Sequence, residues 1–257
     1  MLCYYKYPPR IKIYRGDKMY KLKVYLICSA SLLCIFLFGG LLYAAFTQDD
    51  AVSVMSEGSA KGRVIVIDAG HGGEDGGAVD NGLCEKDVNL SIALKLRGLL
   101  NMCGYRTILT RDSDISIYDS TAQTTREKKV SDLKNRVGII NSSDDNILVS
   151  IHQNKFEQSR YSGTQFFYST NTPGSIRLAE SMRVSVTTLL QPDNKRELKP
   201  AGDSIYILAN AKVPAVIAEC GFLSNEEEAK RLADDSYRQM LAFALFCGIV
   251  DYCSHAD

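Results

Sequence analysis

Residues 64–78 read Val-Ile-Val-Ile-Asp-Ala-Gly-His-Gly-Gly-Glu-Asp-Gly-Gly-Ala: an apolar run stops at an acid, and a histidine follows among five glycines. A short apolar run without alternation is the pattern of a strand buried on both faces, as in a parallel sheet. Outward from it, strand-like and helix-like segments alternate. Residues 63–68, 105–110, 146–151, 163–169, 204–209 and 215–219 read as strands. Residues 86–104 place Val88, Ile92, Leu96 and Leu99 at helical spacing, with Gly104 as a stop, and residues 131–141 place Leu133, Val137 and Ile140 on one helical face. A third helix opens at Thr172 as N-cap with Pro173 in the first helical position. Residues 225–253 open with a capping-box pattern, Asn225 to Glu228, and read as one or two closing helices. The alternation predicts one α/β domain with a mostly parallel sheet flanked by helices.

That domain accounts for residues 62–257. Ahead of it, residues 24–46 form an uncharged run of 23 residues, about 34 Å as a helix and enough for a bilayer core of about 30 Å. Before it stand seven basic residues against one acid, Asp17. A cleaved signal peptide is the rival reading, but its apolar region normally spans only about 7–15 residues. The pattern predicts one uncleaved transmembrane anchor, a basic cytoplasmic segment at 1–23 and a polar linker at 47–61. By the positive-inside tendency the domain then stands on the extracytoplasmic face of the cytoplasmic membrane. With 30 basic and 30 acidic residues, net charge gives no reason to expect nucleic acid as a partner. The five cysteines after residue 61 are odd in number and lack a CxxC pair, so they read as small buried side chains.

The glycine-rich turn fails as a phosphate cradle. Asp75 stands where a dinucleotide loop needs its third glycine, no Gly-Lys-Ser/Thr follows, and Asp68, Glu74 and Asp75 would repel an anion. A metal suits it better. His71 and His152 each follow the end of an apolar strand, and Glu219 ends another. In open α/β sheets the carboxyl ends of strands line the binding crevice, so these residues converge. Two imidazoles and a carboxylate match a catalytic zinc, and a hydrolytic site needs a second, unligated acid as base. Glu85 and Glu219 are both candidates for either job, and spacing does not choose between them. His255 lies in a polar tail and reads as solvated.

The segments IDAGHGGEDGGA, LCEKDVNLSIALKL, TILTRDSD, LKNRVGIIN, SIHQN and VPAVIAECGFLSN, in that order over about residues 62–253, resemble the zinc-dependent N-acetylmuramoyl-L-alanine amidases of the type 3 catalytic domain. The resemblance implies a six-stranded mixed sheet, a zinc ion on His71, Glu85 and His152, and Glu219 as the catalytic acid–base. It also implies hydrolysis of the amide between the lactyl group of N-acetylmuramic acid and the L-alanine of peptidoglycan stem peptides. The segments around His152, Thr164 and Glu219 look most like the subgroup acting on spore cortex. Gln153 and Lys155 stand where many relatives carry small residues, a departure that bears on fine substrate preference. Peptidoglycan is the expected substrate, and an activating protein is a further candidate partner. A zinc peptidase cutting within the stem and a non-catalytic wall-binding module are the competing readings. Asp68 is equally a candidate to hold His71 or to form the turn, and Arg111 and Arg136 are equally candidates to meet stem-peptide carboxylates or to sit in surface salt bridges.

Overall fold

The computed structural model describes residues 62–255. The expected anchor at 24–46 and its flanks at 1–23 and 47–61 lie outside the described residues. Among the described residues, no helix is long and apolar enough to cross a membrane.

Strand β1 (Val64–Ala69) is buried at every position because it has a parallel neighbour on each side. These are β4 (Arg106–Leu109) and β5 (Asn146–Asn154). Beyond β5 come β8 (Ala215–Phe222), parallel to it, then β6 (Gln165–Tyr168), antiparallel to β8, and a two-residue edge strand β7 (Lys199–Pro200). The order β4-β1-β5-β8-β6-β7 makes a mixed six-stranded sheet, as expected. A small hairpin, β2 (Val79–Asp80) with β3 (Leu83–Cys84), stands apart from it.

Alternation along the strands sends residues to two cores. Ile65, Ile67, Ile147, Val149, Val216 and Ala218 join α1 (Glu85–Met102), α3 (Pro173–Leu189) and α6 (Asp235–His255). Val66, Leu148, Ala215 and Ile217 face the other way, toward α2 (Thr125–Ile140) and α4 (Tyr206–Asn210). A fully buried side chain of this kind contributes about 1.5–3 kcal/mol. The parity of Val66, Leu148 and Ile217 puts Asp68, Ser150, His152 and Glu219 on the α2 side, at the carboxyl ends of three adjacent strands.

Two local expectations are corrected. Residues 204–209 are not a strand: they lead into α4, whose Ile207 and Leu208 are buried against the second core. A short apolar run fits a strand or a buried helical turn equally well by periodicity. Here the helical turn is favoured because its free carbonyls find donors. Asn171 Nδ2 reaches the Leu208, Ala209 and Ala211 oxygens, and Asn141 Nδ2 reaches that of Asn210. Lys199–Pro200 takes the sheet edge, where a proline is tolerated. The second correction concerns caps. Asn225 does cap α5 (Glu226–Ala233), accepting from the Glu227 and Glu228 amides at 3.1 Å each. Glu228, however, does not return the bond; it accepts from the Gly163 and Phe222 amides instead. Thr172 precedes Pro173 as expected, but its hydroxyl meets Ser175 Oγ rather than a backbone amide.

Candidate metal centre

The chain leaves β1 through Gly70 and turns at once. The turn closes by paired bonds between Gly72 and Asp75, and His71 sits in the left-handed region at φ 61°. For a non-glycine residue that conformation costs on the order of 1–3 kcal/mol and persists only where neighbours enforce it. Arg136 does so, donating through Nη2 to the His71 carbonyl at 2.8 Å. The β2–β3 hairpin then brings the chain back so that Glu85 is the first residue of α1. The Glu85 amide donates to the Ala78 oxygen at 2.9 Å, and its Oε2 accepts from the Ala78 amide at 2.8 Å. A carboxylate is also favoured by the helix dipole there.

His71, Glu85 and His152 meet, with one donor atom from each within 4.8 Å of the others. Glu85 Oε1 lies 3.2 Å from His71 Nε2 and 2.9 Å from His152 Nδ1. The two rings stand edge to face with centroids 5.0 Å apart. Tetrahedral zinc with arms of about 2.0–2.1 Å puts its ligand atoms about 3.3 Å from one another, so these spacings fit the ion. Two imidazole nitrogens on one carboxylate oxygen is also an arrangement that a shared cation satisfies. The packing leaves little slack. A Cβ on Gly70 would lie 2.3 Å from the His152 ring, and one on Gly77 would lie 2.5 Å from Glu85 Oε2.

Glu219 is the remaining acid. It pairs with His152 across the β5–β8 ladder, and just past that pair β8 carries one extra residue, so that His152–Asn154 opposes Glu219–Phe222 and β8 bends there. Glu219 Oε2 is buried and has no hydrogen-bond partner. Burial raises its pKa, and the Glu85 charge adds to that, against the opposing pull of His152 and His71. A carboxylate of that kind is poised to accept a proton rather than to anchor a structure. The four residues singled out in the sequence thus converge, with Glu85 inside the donor cluster and Glu219 beside it.

Several contacts were not foreseen. Asp75 Oδ2, not Asp68, faces His71, 2.9 Å from Nδ1, a charge contact rather than a well-aligned hydrogen bond. Lys129 shares that oxygen. Burial works against a charge on His71, yet Asp75 and Glu85 outweigh it and raise its pKa to about 9. Glu85 Oε1 also accepts from the Gln153 amide at 3.1 Å, and Asn89 reaches it at 3.4 Å while donating to the Gly70 oxygen. The glycine spacing hides Asp75, although its position four residues after His71 in a closed turn was a usable signal.

Asp68 is instead wholly buried, accepting from Thr110, Ser150 and Arg136. Burial alone would raise its pKa, but the Arg136 charge and the two hydroxyls lower it to about 2. Arg111 and Arg136, candidates for substrate or for surface salt bridges, fit neither reading, because both are buried. Arg111 is 2 % exposed and donates to the Ala69, Gly70, Lys86 and Ser113 oxygens; Arg136 is 1 % exposed, between Asp68 and Asp132. Both hold the loop in place. His255 is exposed at the end of α6, as expected of a solvated residue.

A family model described as N-acetylmuramoyl-L-alanine amidase matches residues 65–251. The germination-specific N-acetylmuramoyl-L-alanine amidase of Bacillus subtilis (strain 168) is 34 % identical over 191 residues, covering 74 % of this chain and 80 % of that protein. The CwlD amidase of Clostridioides difficile, solved in complex with the GerS lipoprotein, is 44 % identical with a TM-score of 0.71, over 74 % of this chain and 98 % of that one. The catalytic domain of CwlV, an N-acetylmuramoyl-L-alanine amidase from Bacillus (Paenibacillus) polymyxa var. colistinus, is 30 % identical with a TM-score of 0.61, over 74 % and 97 %.

Proposed function

This chain belongs to the N-acetylmuramoyl-L-alanine amidase family, and we propose that it is a zinc-dependent member acting on peptidoglycan. The bond cleaved joins the lactyl group of N-acetylmuramic acid to L-alanine. The observation that carries the reading is the unpartnered Glu219 Oε2 standing across one strand pair from His152 in the donor cluster.

His71, Glu85 and His152 would hold the ion. When bound, zinc supplies a Lewis acid that acidifies water and withdraws charge from the carbonyl. Glu219 Oε2 takes the proton from the attacking water and returns it to the departing L-alanine amine. Burial of this carboxylate raises its proton affinity for the first task. Asp75 orients the His71 ring from behind, a role outer carboxylates commonly play for metal-bound histidines.

The germination-specific relative from B. subtilis and the CwlD structure support a role in spore-cortex or cell-wall remodelling. The apolar run at 24–46 with its basic flank supports a single-pass anchor that keeps the domain on the extracytoplasmic side. The complex of CwlD with a lipoprotein supports a protein partner for this chain too. The test is digestion of purified peptidoglycan, with and without a chelator, read by mass spectrometry. Released stems beginning with a free L-alanine amine, lost on chelation, are expected. New ends inside the stem would replace this reading with a peptidase, and binding without soluble product with a wall-binding module.

A further inference from the structure

A cavity of about 510 Å³ opens between the loop that precedes β6, the loop at 190–196 and α5. Four cations line it: Arg160, Lys195, Arg196 and Arg231. None of the four takes part in an ion pair among the described residues, although Arg196 and Arg231 lie close enough to Glu228 to feel its charge. Two acids share the cavity, Asp193 and Glu228. Glu228 is buried and committed to the Gly163 and Phe222 amides at 2.8 Å each.

Arg196 is the built element. Its guanidinium lies 4.5 Å from the centre of the Phe222 ring and 5.8 Å from that of Tyr161, and its Nε donates to the Ser162 oxygen at 2.7 Å. Burial lowers its pKa, but an arginine stays charged throughout the physiological range. A guanidinium held over an aromatic ring and tied by one N–H keeps its remaining N–H groups available for a planar acceptor such as a carboxylate.

Two contacts tie the cavity to the strands that carry Glu219. Phe222 is three residues past Glu219 on β8, but the extra residue there makes this stretch match two residues of β5, about 7 Å at roughly 3.3 Å per residue. Gln165 faces Glu219 across the β6–β8 pair, and Arg196 Nη1 stands 3.5 Å from Gln165 Oε1. An extended peptide covers about 7 Å in two residues. A stem peptide with its first amide at Glu219 and its chain running along β8 therefore brings its second and third residues to the cavity.

We propose that this cavity is a carboxylate-binding subsite for the stem peptide, in which Arg196, with Arg160, Lys195 and Arg231, receives free carboxylates two to three residues beyond the scissile amide. The proposal rests on the amidase reading and names the part of that substrate the chain selects.

The test uses the full chain and soluble muramyl peptides in two forms, with stem carboxylates free or amidated. The parent should favour the free form by roughly ten- to a hundredfold in kcat/KM, mostly through KM. The combined variant Arg160→Gln, Lys195→Gln, Arg231→Gln changes only exposed side chains and should lose most of that preference. Arg196→Lys keeps the charge without the stacked fork and should fall between. In parallel, the free stem tripeptide is titrated calorimetrically into parent and combined variant, with inorganic phosphate as competitor. Weaker peptide binding to the variant supports the subsite even if neither substrate form is cleaved, in which case the amidase reading alone fails. Equal preference in parent and variant, or unchanged peptide affinity, would overturn it. Displacement of the peptide by phosphate at equal concentration would reduce the cavity to a general anion site and also overturn the assignment.

Discussion

Glu219 stands opposite His152 on adjacent parallel strands, so the residue beside the donor cluster and one of its donors are held by a single ladder. The sheet, rather than a loop, sets the separation between the proposed base and the donor cluster. A carboxylate buried without a partner is costly, and its persistence here points to a task that needs it free.

Replacing Asp75 by asparagine removes the charge behind His71 and keeps the side chain's size. Zinc affinity is expected to fall about 10–100-fold while the fold is kept. Chelator competition on the purified chain measures it, and unchanged affinity would remove Asp75 from the account.

Gly70→Ala tests packing at the same centre from the other side. Its Cβ would lie 2.3 Å from the His152 ring, with no room to move the β1 backbone. The ring must swing away, so zinc uptake should be lost well before stability is. Circular dichroism together with metal content separates the two effects. A variant that binds zinc normally would show that His152 is not where the structure puts it.

Arg136 is the fastening between α2, β1 and the His71 turn. Arg136→Leu leaves Asp68 buried without its partner, which typically costs about 3–5 kcal/mol. Because the folded pKa of Asp68 lies below its ordinary value, 3.8 falling to about 2, its contribution is complete above pH 4 or so and fades as pH falls toward 2. Asp75 and Glu85 are also lowered and fade on the same side. Urea unfolding against pH should therefore show the gap between parent and Arg136→Leu narrowing on acidification. A constant gap would mean that Arg136 acts by packing alone.

The strands at 63–68, 146–151 and 215–219 were legible because each is an apolar run with no other plausible home, and they carry His71, His152 and Glu219 to one edge. The choice between Glu85 and Glu219 was not legible from spacing, since it depends on the β2–β3 hairpin returning the chain to the first turn of α1. The fate of residues 204–209 turned on Asn171 and Asn141, which are distant in sequence. Arg111 and Arg136 looked available for substrate only because a sequence does not display burial. The cation cavity likewise gathers Arg160, Arg196 and Arg231 from three separate segments.

The proposed membrane anchor rests on the sequence of residues 1–46 alone. Protease added to intact protoplasts is expected to remove the domain and leave a membrane-bound fragment of the basic segment and apolar run. A protected domain, or a mature N-terminus beyond Phe46, would contradict it.

The most direct test is a side-by-side measurement of zinc content and stem-peptide release for Glu219→Gln and Glu85→Ala. Glutamine keeps the shape of Glu219 but accepts no proton, so that variant should retain one zinc per chain and still bind peptidoglycan. Its turnover should fall by at least about 10²–10⁴-fold, the usual contribution of acid–base catalysis. Glu85→Ala should lose both metal and turnover. Loss of zinc in Glu219→Gln with retention in Glu85→Ala would reverse the two roles, and parental turnover in Glu219→Gln would place the base elsewhere.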